Sequence, residues 1–221
     1  MGLAYFTSDE ITTQKEIIKK NLGKESWICR RERESRWFSN YLEQYYSKSA
    51  RIVELGSANG NFLAQLYKND FHNFAALDID NYLDEGPLQK NFIRVDLNRD
   101  LLPFPDQSVD CVCAFQIIEH LENPFMVARE VARVLKPGGT FFMSVPNGHT
   151  VWDKWKFLTE GNLKGYRLGN NHISFLTRDV FKKTFLREFT LKETFYSNGW
   201  MPFFYPRRWN RILPPHSLWS L

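Results

Sequence analysis

The chain has 221 residues, 43% hydrophobic and 24% charged, which suits a soluble globular protein of one domain. A net charge of +4 is too mild to argue for nucleic acid, and no apolar run approaches the roughly 18 residues needed to span a bilayer. MGLAYFTSDE lacks a basic stretch followed by an apolar one, and Cys29, Cys111 and Cys113 lack CxxC spacing, so neither a leader, a stable membrane insertion nor a zinc site is expected, and a reducing cytoplasm fits best.

Residues 1–48 read as helical. Thr7 and Glu10 form a capping box. A second helix is expected from Trp27 to Tyr46, with Phe38, Tyr41, Leu42 and Tyr45 at spacings of three and four. From residue 50 strands and helices alternate. Residues 51–55 form a first strand, followed by a turn from Gly56 to Gly60 and a helix from Asn61. Residues 74–77 form a second strand ending in Asp78, and 91–95 a third ending in Asp96. Residues 111–115 form a fourth. A helix from Pro124 to Leu135 is stopped by Lys136-Pro137-Gly138-Gly139, and 140–145 is a fifth strand. Residues 147–175 read as a long excursion. Thr177 caps a helix to about Arg187, and 190–196 is a sixth strand. Continuous apolar strands separated by helices predict an α/β, mostly parallel Rossmann-like sheet with helices on both faces.

The acids at the strand ends carry the chemistry, because ligands in such sheets bind outside the carboxyl ends of the strands. Strand one ends in Glu54-Leu55-Gly56-Ser57-Ala58-Asn59-Gly60, strand two in Asp78, strand three in Asp96 and strand four in Gln116. A dinucleotide loop would want G-x-G-x-x-G, but the register holds Gly56, Ala58 and Asn61. Glu54 beside that loop would repel a pyrophosphate. Acids at Glu54, Asp78 and Asp96 instead complement a cationic, phosphate-free ligand.

VELGSANG (53–60), LDID (77–80), VDLNRDLLPFPDQSVDCV (95–112), IIEHLENP (117–124), VLKPGGTFFMSVPN (134–147) and HISFLTRDVF (172–181) together resemble the class I S-adenosylmethionine (SAM)-dependent methyltransferases, in the group with the ubiquinone-biosynthesis and sugar or natural-product types. The resemblance covers roughly residues 50–190. It implies one methyltransferase domain over 1–221. Within it, 1–48 would be a helical N-terminal extension, 49–146 a SAM-binding core, and 147–221 an acceptor-side lid and C-terminal part. It implies that Gly56, Ser57, Ala58 and Gly60 form the turn against the methionine part of SAM, with Glu54 orienting that turn. Asp78, with Ile79 beside it, would hold the ribose; Asp96 and Leu97 would contact adenine; Gln116 would lie near the methionine end. Ala58 stands where the family has glycine, which narrows the loop.

The implied reaction is methyl transfer to a hydroxyl, less readily an amine, of a small molecule or glycan. The alternatives are a non-catalytic SAM-binding scaffold and a nicotinamide-dependent oxidoreductase. His172 and His120 are the candidate general bases, with a structural role also open to His120; His149 is a weaker candidate. Quinone-pathway relatives hold a divalent cation with an acid-x-x-Glu-His group. Here Gln116 replaces the first acid, and hard cations prefer carboxylates, so no metal is expected. The aromatics Trp152, Trp155, Phe157 and Tyr166 read first as core, then as an acceptor pocket or association surface. Arg207, Arg208 and Arg211 in the tail would favour a phosphate-bearing acceptor or a membrane surface, or form a solvated cationic end. The family finishes with a seventh, antiparallel strand. Leu213 to Leu221 holds two prolines, which leaves that strand in doubt and, if it is missing, an open edge that could drive a homodimer.

Overall fold

The computed structural model describes residues 13, 16, 38–83, 85–146, 148, 150–163, 165–167 and 171–195, and the backbone of 216–220. The Thr7–Glu10 capping box, the start of the second helix at Trp27, Cys29, His149, Arg207, Arg208 and Arg211 lie outside the described residues.

The mostly parallel α/β sheet expected from the apolar runs is present. Its strands are β1 (Ile52–Leu55), β2 (Phe74–Asp78), β3 (Phe92–Arg94), β4 (Val109–Phe115), β5 (Leu135–Pro146), β6 (Glu193–Phe195) and β7 (His216–Ser220). Their order across the sheet is β3-β2-β1-β4-β5-β7-β6. The helices are α1 (Asn61–Lys68), α2 (Pro124–Val134), α3 (Val151–Glu160) and α4 (Arg178–Glu188). Residues 38–45 are also helical, with Phe38 and Leu42 buried one turn apart.

By internal contacts the chain divides into two units. One holds Met1–Cys113 and Arg133–Thr140, the other Ala114–Ala132 and Phe141–Leu221. In the first, β2 runs parallel to β1, with Ile52 beside Phe74 and Leu55 beside Leu77, and parallel to β3, with Asp78 beside Arg94. All four residues of β1 are buried, as a parallel strand covered on both faces must be. Ile52, Leu55, Leu63, Leu66, Phe71 and Leu77 are fully buried and form its core. Cys111 and Cys113 are buried free thiols, their sulfurs 3.9 Å apart. In the second unit Phe181 and Phe185 of α4 stack at 5.4 Å, and Phe125 meets Phe185 edge-on at 6.2 Å. Thr177 caps α4 as expected, accepting from the Val180 N–H.

Four expectations are corrected. The seventh strand is present. His216–Ser220 pairs antiparallel with both β5 and β6, so the missing-strand ground for a dimer falls away. Lys136-Pro137-Gly138-Gly139 does not separate helix from strand but belongs to β5. The Gln107 and Ser108 N–H groups donate to the Arg133 and Val134 carbonyls at the end of α2, just before this segment. Gly139 permits the approach, since a Cβ there would lie 3.0 Å from the Asp110 carbonyl oxygen. The excursion after Pro146 contains a helix, α3, capped by Thr150 accepting from the Asp153 N–H at 3.0 Å. Finally, Trp152, Trp155 and Phe157 of α3 are not core. They are 57–58% exposed: the helix turns Trp152, Trp155 and Leu158, spaced three apart, to solvent, while Asp153 is buried.

The turn after β1 holds its backbone in the left-handed region at Gly56, Ala58 (φ +48°) and Gly60 (φ +77°). That conformation costs a residue with a Cβ about 1–2 kcal/mol. A Cβ at Gly60 would also meet Leu83 Cδ2 at 2.6 Å. Substitutions two positions apart should therefore act in opposite directions. Ala58→Gly should stabilise the protein by about 1 kcal/mol, and Gly60→Ala should destabilise it by at least that much. Thermal unfolding checks this, at roughly 2–4 °C per kcal/mol for a chain of this size.

Asp110 ties β4 to both flanking segments. It accepts from the Arg51 N–H at 2.8 Å and from Lys136 Nζ at 2.7 Å. Burial pushes its carboxyl pKa up, but the Lys136 and Arg51 hydrogen bonds outweigh it and hold the pKa below the ordinary 3.8. A folded-state value depressed in this way contributes stability above the unfolded pKa and loses it as pH falls through the folded one. Asp110→Asn should therefore be less stable than the native protein at neutral pH. The gap should close at pH values below 3.8, as read by urea unfolding at both.

Candidate functional site

The carboxyl ends of β1 and β2 form the first group of candidate residues. Glu54 is buried, at 5% exposure. The Gly56 and Ser57 N–H groups both donate to the Leu77 carbonyl, at 2.8 and 3.1 Å. The Ala58 N–H donates to Asp78 Oδ2 at 2.9 Å, the Ile79 N–H to Asp78 Oδ1 at 2.8 Å, and the Gly60 N–H to the Ser57 carbonyl at 2.9 Å. Asp78 thus braces the loop that sequence reasoning placed it beside.

This arrangement decides what the loop can bind. A phosphate cradle needs backbone N–H groups aimed at the ligand. Those of Gly56, Ser57, Ala58 and Gly60 already donate within the protein, and Glu54 adds negative charge beside them. The residues fit a cationic cofactor carrying ribose hydroxyls and no phosphate. They do not fit a pyrophosphate.

Asp96 is engaged locally. Its Oδ1 accepts from the Asn98 N–H at 3.0 Å, and its Oδ2 is 3.5 Å from Arg99 Nε. Leu97 beside it is buried. Tyr82 was not anticipated. Its buried hydroxyl titrates well above the usual tyrosine range, through burial first and then the charges of Asp78 and Asp80. The signal available in the sequence was only its position four residues after Asp78.

The second group lies in the other unit. Gln116 sits in the left-handed region (φ +53°); its N–H donates to the Ser144 carbonyl at 3.0 Å and its Nε2 to Ser144 Oγ at 3.2 Å. A short helical turn, Ile118–His120, follows. The Glu119 carbonyl accepts from both the Ile173 and Ser174 N–H groups, at 2.8 and 3.0 Å. That clamp sets His172 against the turn. His120 and His172, weighed separately as bases, stand together with ring centroids 4.6 Å apart, edge to face. Their Nε2 atoms lie 3.9 and 4.0 Å from one oxygen of Glu119, which is 1% exposed. Burial lowers the His172 pKa from its ordinary 6.5, opposed by a backbone hydrogen bond with Gly165. Tyr166 packs on His172 at 5.4 Å; burial and the Glu119 charge push its hydroxyl well above the usual tyrosine range. Glu119 and Tyr166 were missed as partners of the histidines because the pairing joins segments far apart in the chain.

No helix among the described residues is long and apolar enough to cross a membrane. A family model described as a methyltransferase domain matches residues 29–189. A Mycolicibacterium smegmatis protein named "Probable S-adenosylmethionine-dependent methyltransferase" is 34% identical over 122 residues, covering 52% of this chain and 47% of its own. The mitochondrial ubiquinone biosynthesis O-methyltransferase of Dictyostelium discoideum is 28% identical over 103 residues, covering 45% of this chain and 29% of its own. The chain therefore spans about half the length, or less, of these curated relatives. A SAM-dependent methyltransferase from Archaeoglobus fulgidus shares the fold with a TM-score of 0.57 at 17% identity, over 84% of this chain and 93% of its own. The model match spans most of the sequence and runs through every strand from β1 to β5, and on that ground the chain belongs to the methyltransferase-domain family.

Proposed function

We propose that the chain is a SAM-dependent methyltransferase acting on a hydroxyl of a small molecule or glycan, and that residues 1–221 form one such domain. The observation that carries this reading is the loop after β1. The N–H groups of its Gly56, Ser57, Ala58 and Gly60 are used internally, its buried neighbour is the acid Glu54, and its brace is Asp78. The relatives' names support SAM, and the named O-methyltransferase among them supports an oxygen acceptor. The buried free thiols Cys111 and Cys113 support a reducing, cytoplasmic setting.

When bound, SAM supplies a methyl carbon on a positively charged sulfur. The protein's part is to position and to shape the field. Glu54 places negative charge where the ligand's cationic groups bind. Asp78 accepts from the ribose hydroxyls while holding the Ala58 N–H, so ribose binding and loop shape are linked. Ile79 follows Asp78 along the same edge, and Leu97 supplies an apolar contact for the adenine. Ser57 and Gly60 fix the turn through their mutual hydrogen bond. Gln116, in the other unit, is held by Ser144. His172 and His120, with Glu119, serve the acceptor. A hydroxyl acceptor must lose a proton as it attacks, and an imidazole is suited to take it.

Calorimetric titration of SAM, S-adenosylhomocysteine and NADH tests the reading. The first two should bind and NADH should not. Asp78→Ala should weaken SAM by at least roughly tenfold, since charge-assisted hydrogen bonds contribute about 1.5–3 kcal/mol each. Asp78→Asn, which keeps one carbonyl oxygen, should fall between. NADH binding in place of SAM would overturn the assignment.

A further inference from the structure

We propose, on the SAM reading above, that the Tyr82 hydroxyl is a further cofactor contact, donating to a ribose hydroxyl whose own proton goes to Asp78. Among the described residues, the buried hydroxyls left without a hydrogen-bond partner are those of Ser57 and Tyr82. Ser57 lies in the loop that Asp78 braces, and Tyr82 lies four residues beyond Asp78. Tyr82 is 8% exposed, and its oxygen is out of reach of water. A buried donor left unpaired is costly, so native structures seldom keep one without a use. Solvent does not complete this one, so its partner has to be a group that the fold positions there.

The segment that carries Tyr82 is pinned on both sides of it. The Leu83 N–H donates to Asn81 Oδ1 at 3.1 Å, and Gln89 Nε2 donates to the Leu83 carbonyl at 3.1 Å. Arg94 Nε donates to the Ile79 carbonyl at 3.0 Å. Leu83 lies directly on the loop after β1, where a Cβ at Gly60 would meet its Cδ2 at 2.6 Å. Tyr82 cannot turn its hydroxyl to water without disturbing these contacts. Asp78 cannot swing to it either. One carboxylate oxygen holds the Ala58 N–H and the other the Ile79 N–H, which fixes the plane of the group. Phenol and carboxylate are neighbours with no direct hydrogen bond between them.

The chemistry of the pair selects the bridging group. Burial first, then the charges of Asp78 and Asp80, hold the Tyr82 hydroxyl well above the usual tyrosine range, with Arg94 opposing. Tyr82 therefore keeps its proton at neutral pH and acts as a donor. A ribose hydroxyl donates and accepts at once. Its proton can go to Asp78 while its lone pair takes the proton of Tyr82, and hydrogen bonds linked in such a chain strengthen one another. The adenine offers acceptors too. The charge felt most at the phenol, however, is that of Asp78, the residue assigned to the ribose, and this points to the sugar.

The test is calorimetric titration of the full chain with S-adenosylhomocysteine and with its 2′-deoxy and 3′-deoxy analogues, in the native protein and in Tyr82→Phe, which removes only the hydroxyl. The variant should bind S-adenosylhomocysteine roughly three- to tenfold more weakly, as the loss of one neutral hydrogen bond gives. Toward one of the two analogues, the one lacking the hydroxyl that Tyr82 reaches, native protein and variant should bind alike. Without ligand, Tyr82→Phe should melt at the same temperature or higher, because it removes an unpaired buried group. Equal binding of S-adenosylhomocysteine by the two proteins, an equal loss toward both analogues, or a lower melting temperature of the unliganded variant would overturn the proposal. Asp78→Ala in the same titrations reads the cofactor assignment separately. Native binding that is lost in Asp78→Ala but unchanged in Tyr82→Phe overturns the Tyr82 contact alone, whereas a native protein that binds no S-adenosylhomocysteine overturns both readings.

Discussion

The carboxylate of Asp78 is the contact on which the cofactor end of the molecule depends. It sits on the last residue of β2 and accepts one N–H from its own chain direction, at Ile79, and one from the loop after β1, at Ala58. Parallel pairing of β1 with β2 sets the height of the two strand ends. Asp78 converts that height into a loop conformation. The left-handed backbone at Ala58 is held against its steric cost by this charge-assisted bond and by the Gly60–Ser57 closure. The N–H groups of Gly56, Ser57, Ala58 and Gly60 are thereby used inside the fold, and the acids Glu54 and Asp78 stand beside them.

The histidine cluster obeys a different logic. Its residues do not arise from one turn but from two backbone segments joined by paired N–H donation into the Glu119 carbonyl. Burial then acts on all three side chains at once. It favours neutral imidazole at His172 and leaves the Glu119 charge strong enough to be felt by Tyr166. A buried carboxylate between two imidazoles is a costly arrangement to keep unless the charge is put to use.

The parts of the fold legible in the sequence were those whose own residues carry a period or a punctuation. β1, β2, α1, α2 and α4 lie within a residue or two of where the apolar runs and the Thr177 cap put them. The parts that escaped were decided by neighbours. α3 carries Trp152, Trp155 and Leu158 on a face turned to solvent, with Thr150 and Gly161 marking its ends, so tertiary context rather than the core decides which face it shows. The Lys136–Gly139 segment is strand, its Lys136 bonded to Asp110 of β4 and its Gly139 packed against the Asp110 carbonyl. β7 is defined by its two antiparallel neighbours, β5 and β6, more than by its own composition.

The same division runs through the site. Glu54, Gly56, Ala58 and Asp78 could be picked from sequence because strand-end acids and a short glycine-bearing turn are local features at fixed spacing. The sequence by itself therefore determined the fold class, the family resemblance and the acidic character of the cofactor end. Tertiary structure alone decided that Asp78 braces Ala58, that Tyr82 shares its field, and that Glu119, His120 and His172 meet at one oxygen. Those are relations between segments remote along the chain. They exist only once backbone pairing brings the segments together and burial makes their charges interact.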